Sequence, residues 1–242
     1  MTHDHPADWR PGPLPTDHLA AVAEPLLDLL SRTDRALQRY GVPPDHAASA
    51  GLREFRLLPG ALAASITATD PVPLWQQAVA TARRRSAVLA VAEPVRTDDA
   101  GLQWSGAGRR AYRAAWAPVA TALGTDLPAQ LLATADYGDR LARWYAALRS
   151  ALVRFFLRYG TGPAAVTLRT GPPGDATADE LRYATGAATA AADLAAACYD
   201  ALRPALTAGR RLRPGPAPTL PAARTPDHDT GTDSGAFHAG HD

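Results

Sequence analysis

Two aspartates three residues apart, Asp136 and Asp139, are the nearest approach in this chain to a carboxylate pair able to hold a cation or share acid–base work. Each has an arginine four residues on, Arg140 and Arg143, and side chains at that spacing meet on one helix face, so the ion-pair reading comes first. Glu93, Asp98 and Asp99 form an acidic stretch that turn chemistry accounts for as well as cation binding does. His3 with His5, and His238 with His241, have metal-capable spacing but sit near ends expected to be mobile, where binding would be adventitious. Cys198, the one cysteine, lies in an alanine-rich run with no neighbour to lower its thiol pKa, and reads as a small core residue. Gly106-x-Gly108-x-x-Ala111 meets the spacing of a dinucleotide-binding turn, and Arg109 and Arg110 follow where phosphates would lie. Only Leu102 and Trp104 are apolar in the stretch that should form the preceding strand. No Gly-x-Ser-x-Gly elbow and no His-Glu-x-x-His occurs. The expectation is no catalytic residue, no metal and no cofactor, with an enzyme or nucleotide-binding protein holding a ligand near Gly106-x-Gly108 as the alternative.

Composition removes further chemistry. All 25 basic residues are Arg, so a lysine imine and the lysine of a phosphate-cradling loop are both excluded. A single cysteine allows no internal disulfide and no thiolate zinc site. Net charge is +1, and the clusters Arg83–Arg84–Arg85 and Arg210, Arg211, Arg213 lack interleaved aromatics, so they read as solvated helix faces; nucleic acid is not an expected partner. The hydrophobic content of 46% is enough for a packed core, but no run of about 18 apolar residues suggests a membrane span. Met1 to Arg10 lacks the apolar stretch of a secretory signal, so the chain is expected to be made as a soluble cytoplasmic protein.

The elements that must position these residues read as helices. Residues 1–15 are expected to be flexible, and Thr16 to cap a helix in which Leu19, Val22, Leu26, Leu29, Leu30, Leu37 and Tyr40 recur at steps of three and four. Two short helices around Leu52–Leu58 and Leu62–Ile66 complete an N-terminal region, 16–70, interrupted at Pro59 and Gly60. Asp70 and Pro71 then offer a cap and a first-turn proline for a second long helix through Leu89. The breakers Pro94, Asp98, Asp99 and Gly101 predict a loop or hairpin, and Val88 to Trp104 two short strands at most. Helical spacing returns after Gly106, breaks at Gly124 to Pro128, and resumes behind an Asp126 cap. Leu131 to Tyr159 is the broadest apolar face of the chain. Residues 161–174 read as a linker with room for a strand at Ala165–Leu168. Thr177 and Glu180 have capping-box spacing for an Ala-rich helix over 175–208, and 209–242 reads as a disordered tail.

The most distinctive stretch is Trp104-Ser105-Gly106, followed by Tyr112 eight residues after the tryptophan and Trp116 twelve after it. A tryptophan can lie across two helix ends, and a glycine two residues later lets the chain reverse beneath the indole. Over about residues 71–158 this resembles the WXG-type proteins of type VII secretion, helical hairpins whose turn carries Trp-x-Gly. The stretch Ala133 to Leu148 is similar to the second helix of the larger members. The resemblance implies an all-α, elongated helical bundle containing such a hairpin within 71–160. It also implies function by helix–helix interaction with a protein partner or a second copy, through Trp104, Gly106, Tyr112 and Trp116, and export by a type VII route. None of Tyr137, Tyr145, Tyr159, Tyr183 or Tyr199 has an acidic residue four positions on, so either a partner supplies that export signal or the chain is an associated factor and not itself a substrate. A helical domain of other, unassigned role in the cytoplasm is the remaining alternative.

Overall fold

The computed structural model describes residues 9–97, 105–170 and 177–212. Among them there are helices and connecting segments and no strand: the chain is all-α. Helix α1 spans Leu19–Tyr40 and buries Leu19, Leu26, Leu29, Leu30 and Leu37 on one face. It starts later than Thr16 because the cap is Asp17, whose Oδ1 accepts the Leu19 N–H at 2.9 Å. Helix α2, Ala48–Phe55, is opened by His46, whose Nδ1 accepts the Ala48 N–H at 3.2 Å. Helix α3, Pro59–Ala68, begins where an interruption was expected. Pro59 suits a first turn, where its missing N–H costs nothing. The amides of Gly60 and Ala61 donate to the Asp34 carboxylate at 2.9 and 3.2 Å, so a side chain of α1 caps α3 from 26 residues away.

Helix α4 spans Pro71–Thr97, capped by Asp70 through the Val72 N–H at 2.9 Å. It continues through the segment Val88–Thr97 that was expected to be loop or strand, and there Val88 and Ala92 share a cleft with Leu123. Helix α5, Ala107–Thr121, passes through a π-helical turn, Ala122–Asp126, into α6, Leu127–Tyr159. The expected break at Gly124–Pro128 is therefore a change of helical pitch. Leu127 N–H reaches five residues back to Ala122 O, the signature of a π-bulge. Asp126 is itself helical and makes no capping bond, since an uninterrupted helix leaves no free amides to cap. The expected linker contains helix α7, Pro163–Thr170, so Ala165–Leu168 is helical, with Ala165 and Leu168 buried. Helix α8 spans Thr177–Gly209. The side chains of the Thr177–Glu180 capping box, and residues 213–242 of the expected tail, lie outside the described residues.

The core lies among α1, α2, α3, α7, the second half of α6 and α8 from Ala187 to Leu202. Leu148, Leu152 and Phe155 of α6 and Leu194, Tyr199 and Leu202 of α8 are all at most 2% exposed. The first half of α6 instead packs against α4 in an antiparallel hairpin, the most extensive helix pair of the fold. Its seam is small: Ala78, Ala82 and Ala92 are buried on α4, and Ala135, Ala142 and Ala146 on α6. A Cβ on Gly138 would stand 3.3 Å from that of Ala78, so the two backbones approach closely. From Trp9 onward the segment expected to be flexible is laid across this hairpin: Trp75 Nε1 and Arg143 Nη2 donate to Gly12 O at 2.8 and 2.9 Å.

Candidate protein-interaction site

The outer end of the hairpin is built by one turn residue and an unfinished register. Gly106 opens α5 at φ 88° and ψ −158°, a conformation that only glycine adopts without strain. From there α5 carries Tyr112 and Trp116 one turn apart, their rings stacked with centroids 6.2 Å apart and planes within 9°. Ala78 faces Gly138 and Ala92 shares a cleft with Leu123. Carried forward, this register runs out of α4 at about Val119, so most of α5 projects past its neighbour. Not one residue of α5 is buried. Tyr112 and Val119 are each 40% exposed, and Val91 on the facing end of α4 is 65% exposed. Between the two arms, Ala87, Val88, Val91, Ala92 and Leu123 line an apolar cleft of about 240 Å³.

Of the four residues expected to form an interaction corner, the structure places Gly106, Tyr112 and Trp116 on one helix and brings the two aromatics together. Trp104 lies outside the described residues. Compared with family models, with curated proteins and with solved structures, the chain matches none. The surface has to be judged on its own chemistry, which is apolar and aromatic with arginines at Arg109, Arg110 and Arg113 along the same helix. Such a face suits another protein surface, where aromatics and arginine concentrate in the interface. Helix α4 runs through Thr97, and residues 98–104, where the strand required ahead of Gly106-x-Gly108 would lie, are outside the described residues.

The other candidates resolve into structure. Arg140 pairs with Asp136 and Arg143 with Asp139, each at 2.8 Å. Asp139 is only 8% exposed, and its Oδ1 is buried with no hydrogen-bond partner; this pair is less solvated than its spacing suggested. Arg83 and Arg84 are exposed, and Arg210 pairs with Glu54 at 3.4 Å. Cys198 is fully buried, and burial, reinforced by the Asp34 charge, pushes its thiol up to about 12, which makes it an inert core group. Glu93 is exposed on α4, while Asp98, Asp99 and the four terminal histidines lie outside the described residues. Among the described residues no three His, Cys, Asp or Glu gather where a metal could be held. No described helix is long and apolar enough to cross a membrane.

Three polar nodes escaped the sequence reading. Arg149, 7% exposed, pairs with Asp17 at 2.7 Å and donates from Nη1 to the carbonyls of Thr67 and Thr69 at 2.9 and 3.0 Å. It thereby satisfies the orphan carbonyls at the end of α3 and ties them to the start of α1. Desolvation works against the Asp17 charge, but the Arg149 hydrogen bond, the Leu19 amide and the Arg149 charge outweigh it and hold the carboxyl below its ordinary value. Asp34 goes the other way: burial pushes its carboxyl up despite the two amides that it accepts. Tyr199 donates to Leu57 O at 2.8 Å, and burial pushes its phenol up.

Proposed function

We propose that the protein works by binding through helices, with the outer end of the α4–α6 hairpin as the binding surface and no chemistry of its own. The observation that carries this reading is α5, a helix of 15 residues without one buried side chain. Helices of that length are marginal in water and draw their stability from packing an apolar face. The helix holds the stacked Tyr112–Trp116 pair, and the turn that continues it lines an apolar cleft with α4 through Leu123. Large aromatics are the side chains that dominate interface energetics. The occupant proposed is a helical hairpin, from a partner or a second copy, which is how the WXG-type proteins that the chain resembles associate. On that reading the protein leaves the cell by type VII secretion in company with a partner bearing the missing signal.

Two measurements test the proposal. Sedimentation of the full chain, alone and with candidate hairpin partners, is expected to show a complex that Tyr112→Ser/Trp116→Ser abolishes; equal assembly by the variant would overturn the surface assignment. In the native host the protein is expected in the medium only when the type VII ATPase is present. Retention in the cells under both conditions would remove the secretion part of the proposal and leave the association part standing.

A further inference from the structure

Arg10-Pro11-Gly12-Pro13-Leu14-Pro15-Thr16 recurs in this chain with a single change, as Arg213-Pro214-Gly215-Pro216-Ala217-Pro218-Thr219. Six identities in seven residues, covering an arginine, three prolines, a glycine and a threonine in fixed order, exceed what the chain's general richness in proline supplies. The first copy is bound in a groove between α4 and α6. Trp75 Nε1 and Arg143 Nη2 converge on the Gly12 carbonyl at 2.8 and 2.9 Å, and Arg143 Nη1 reaches Pro13 O at 3.4 Å. A Cβ on Gly12 would stand 3.2 Å from Arg143 Nη2, so a larger side chain there would press on the guanidinium that holds the segment. Trp75 also walls two clefts that flank the segment, one of about 370 Å³ lined in part by Arg10 and Pro11 and one of about 320 Å³ lined in part by Pro13, Leu14 and Pro15. An aromatic wall with an N–H aimed at a carbonyl between prolines is how grooves read proline-rich segments, which offer acceptors but few donors and lose little entropy on binding.

Pro11, Gly12, Pro13 and Pro15 are all preserved in the second copy, and only Leu14 differs, as Ala217. One neighbouring contact is not: Asp17, which pairs with Arg149 at 2.7 Å, corresponds to Leu220. We propose that the Trp75–Arg143 groove is a receptor for the Arg-Pro-Gly-Pro-x-Pro-Thr sequence, and that residues 213–219 of the same molecule exchange with residues 10–16 in it. The N-terminal copy is the resting occupant because only it brings the Asp17 carboxylate to Arg149. Helix α8 ends against α6, where Trp144 Nε1 donates to Ala205 O at 2.7 Å and the indole stands 2.5 Å from a Cβ built on Gly209. Arg143, the adjacent residue of α6, holds Gly12. After Gly209 the chain makes a turn that the Leu212 N–H closes onto Gly209 O at 2.9 Å, so the exchange requires this last turn to open. A partner that captures one copy would then hand the groove to the other, independently of any docking at α5.

Disulfide trapping in the full chain tests this. Leu14 and Ser150 line one cleft, and Ala217 is the repeat's counterpart of Leu14. Leu14→Cys/Ser150→Cys serves as the positive control, and Ala217→Cys/Ser150→Cys as the probe; the fully buried Cys198 does not compete. Mild oxidation is expected to give an intramolecular bridge in both, seen as a faster-migrating monomer and located by peptide mass. Adding Gly12→Val to the probe should raise its yield, and adding Gly215→Val should abolish it. Three results would overturn the proposal: no bridge in the probe even with Gly12→Val, a yield indifferent to Gly215→Val, or bridges only between two molecules. Should Gly12→Val disturb the fold, a synthetic peptide of residues 211–221 titrated into the wild-type chain keeps the question open to test. It is expected to displace residues 10–16 and lower the yield of the Leu14→Cys/Ser150→Cys control, and an unchanged yield at millimolar peptide would count against the receptor.

Discussion

The two halves of α6 face different worlds. Its second half, from Leu148, packs leucines and phenylalanine into a shared core with α1, α3 and α8, whereas its first half meets α4 through alanines and one glycine. Burial of a leucine or phenylalanine side chain is worth about 1.5–3 kcal/mol, and a methyl group only about 0.8. The alanine seam thus allows close backbone approach but little stabilisation for each residue. The same helix is anchored at one end and dependent on company at the other, and α5, beyond the reach of α4, is the extreme case. The body holds the packed core, and the outer hairpin carries the surface proposed for contact.

This contrast breaks most visibly in the body. Phe155→Ala, at a position 1% exposed, is expected to cost about 3–5 kcal/mol through lost burial and the cavity left behind, read as a large fall in the urea midpoint. Arg149→Ala is expected to cost about 3 kcal/mol, because it strands the carbonyls at the end of α3 and the Asp17 carboxylate together. A double-mutant cycle with Asp17→Ala sharpens this. Strong coupling places the effect in the ion pair, and weak coupling places it in the bonds to Thr67 and Thr69.

Acid separates the two body carboxylates. Asp17 is held below its ordinary 3.8, so its contribution is present above that value and is lost as pH falls through its depressed folded value. Asp34 is raised above 3.8, so it favours the folded state below that value, and the benefit is lost as pH rises through its folded value. In acid titrations of stability, Asp17→Asn is expected to flatten the loss on the acid side and Asp34→Asn to steepen it. Identical curves for both variants would show that neither carboxylate is coupled to folding as its surroundings dictate.

Helices whose apolar residues recur at three and four steps were legible without a structure: α1, α4 as far as Leu89, α6 and α8 all lie where that spacing put them. What was misread has a common cause, since the deciding partner lay far along the chain. Pro59-Gly60 looked like an interruption because its cap, Asp34, belongs to another helix. Gly124–Pro128 looked like a stop, yet the helix crosses it as a π-turn packed against α4, which itself runs on to Thr97. Arg149 was overlooked although its signal was present: it falls on the apolar stripe of Tyr145, Leu152 and Phe156, a place where an arginine has to find internal acceptors. The Trp75 and Arg143 bonds to Gly12 gave no comparable sign, because a backbone carbonyl acceptor can be any residue. Of the candidate site, the aromatic pair at 112 and 116 was legible from spacing alone, but its exposure was not, since that depends on where α4 ends.

The outer hairpin should respond on a smaller scale, and its responses separate folding from binding. Gly106→Ala forces a side chain into a backbone conformation that favours glycine, at a cost of about 1–3 kcal/mol where the turn resists relaxation. Because no residue of α5 is fully buried, that strain is expected to fray α5 and leave the melting temperature of the body nearly unchanged. Amide exchange should locate the loss between Ala107 and Thr121, and faster exchange in α1 or α8 would contradict the division of the molecule. Tyr112→Ser/Trp116→Ser is the smallest perturbation to stability, expected to cost about 1 kcal/mol because Tyr112 is exposed and Trp116 half-buried, and yet the largest to association. A stacked aromatic pair that is only partly covered contributes less to the isolated chain than to whatever covers it. If the double variant instead unfolded the protein, α5 would belong to the core, and the division between a stable body and a contact-forming hairpin would fail at its most exposed point.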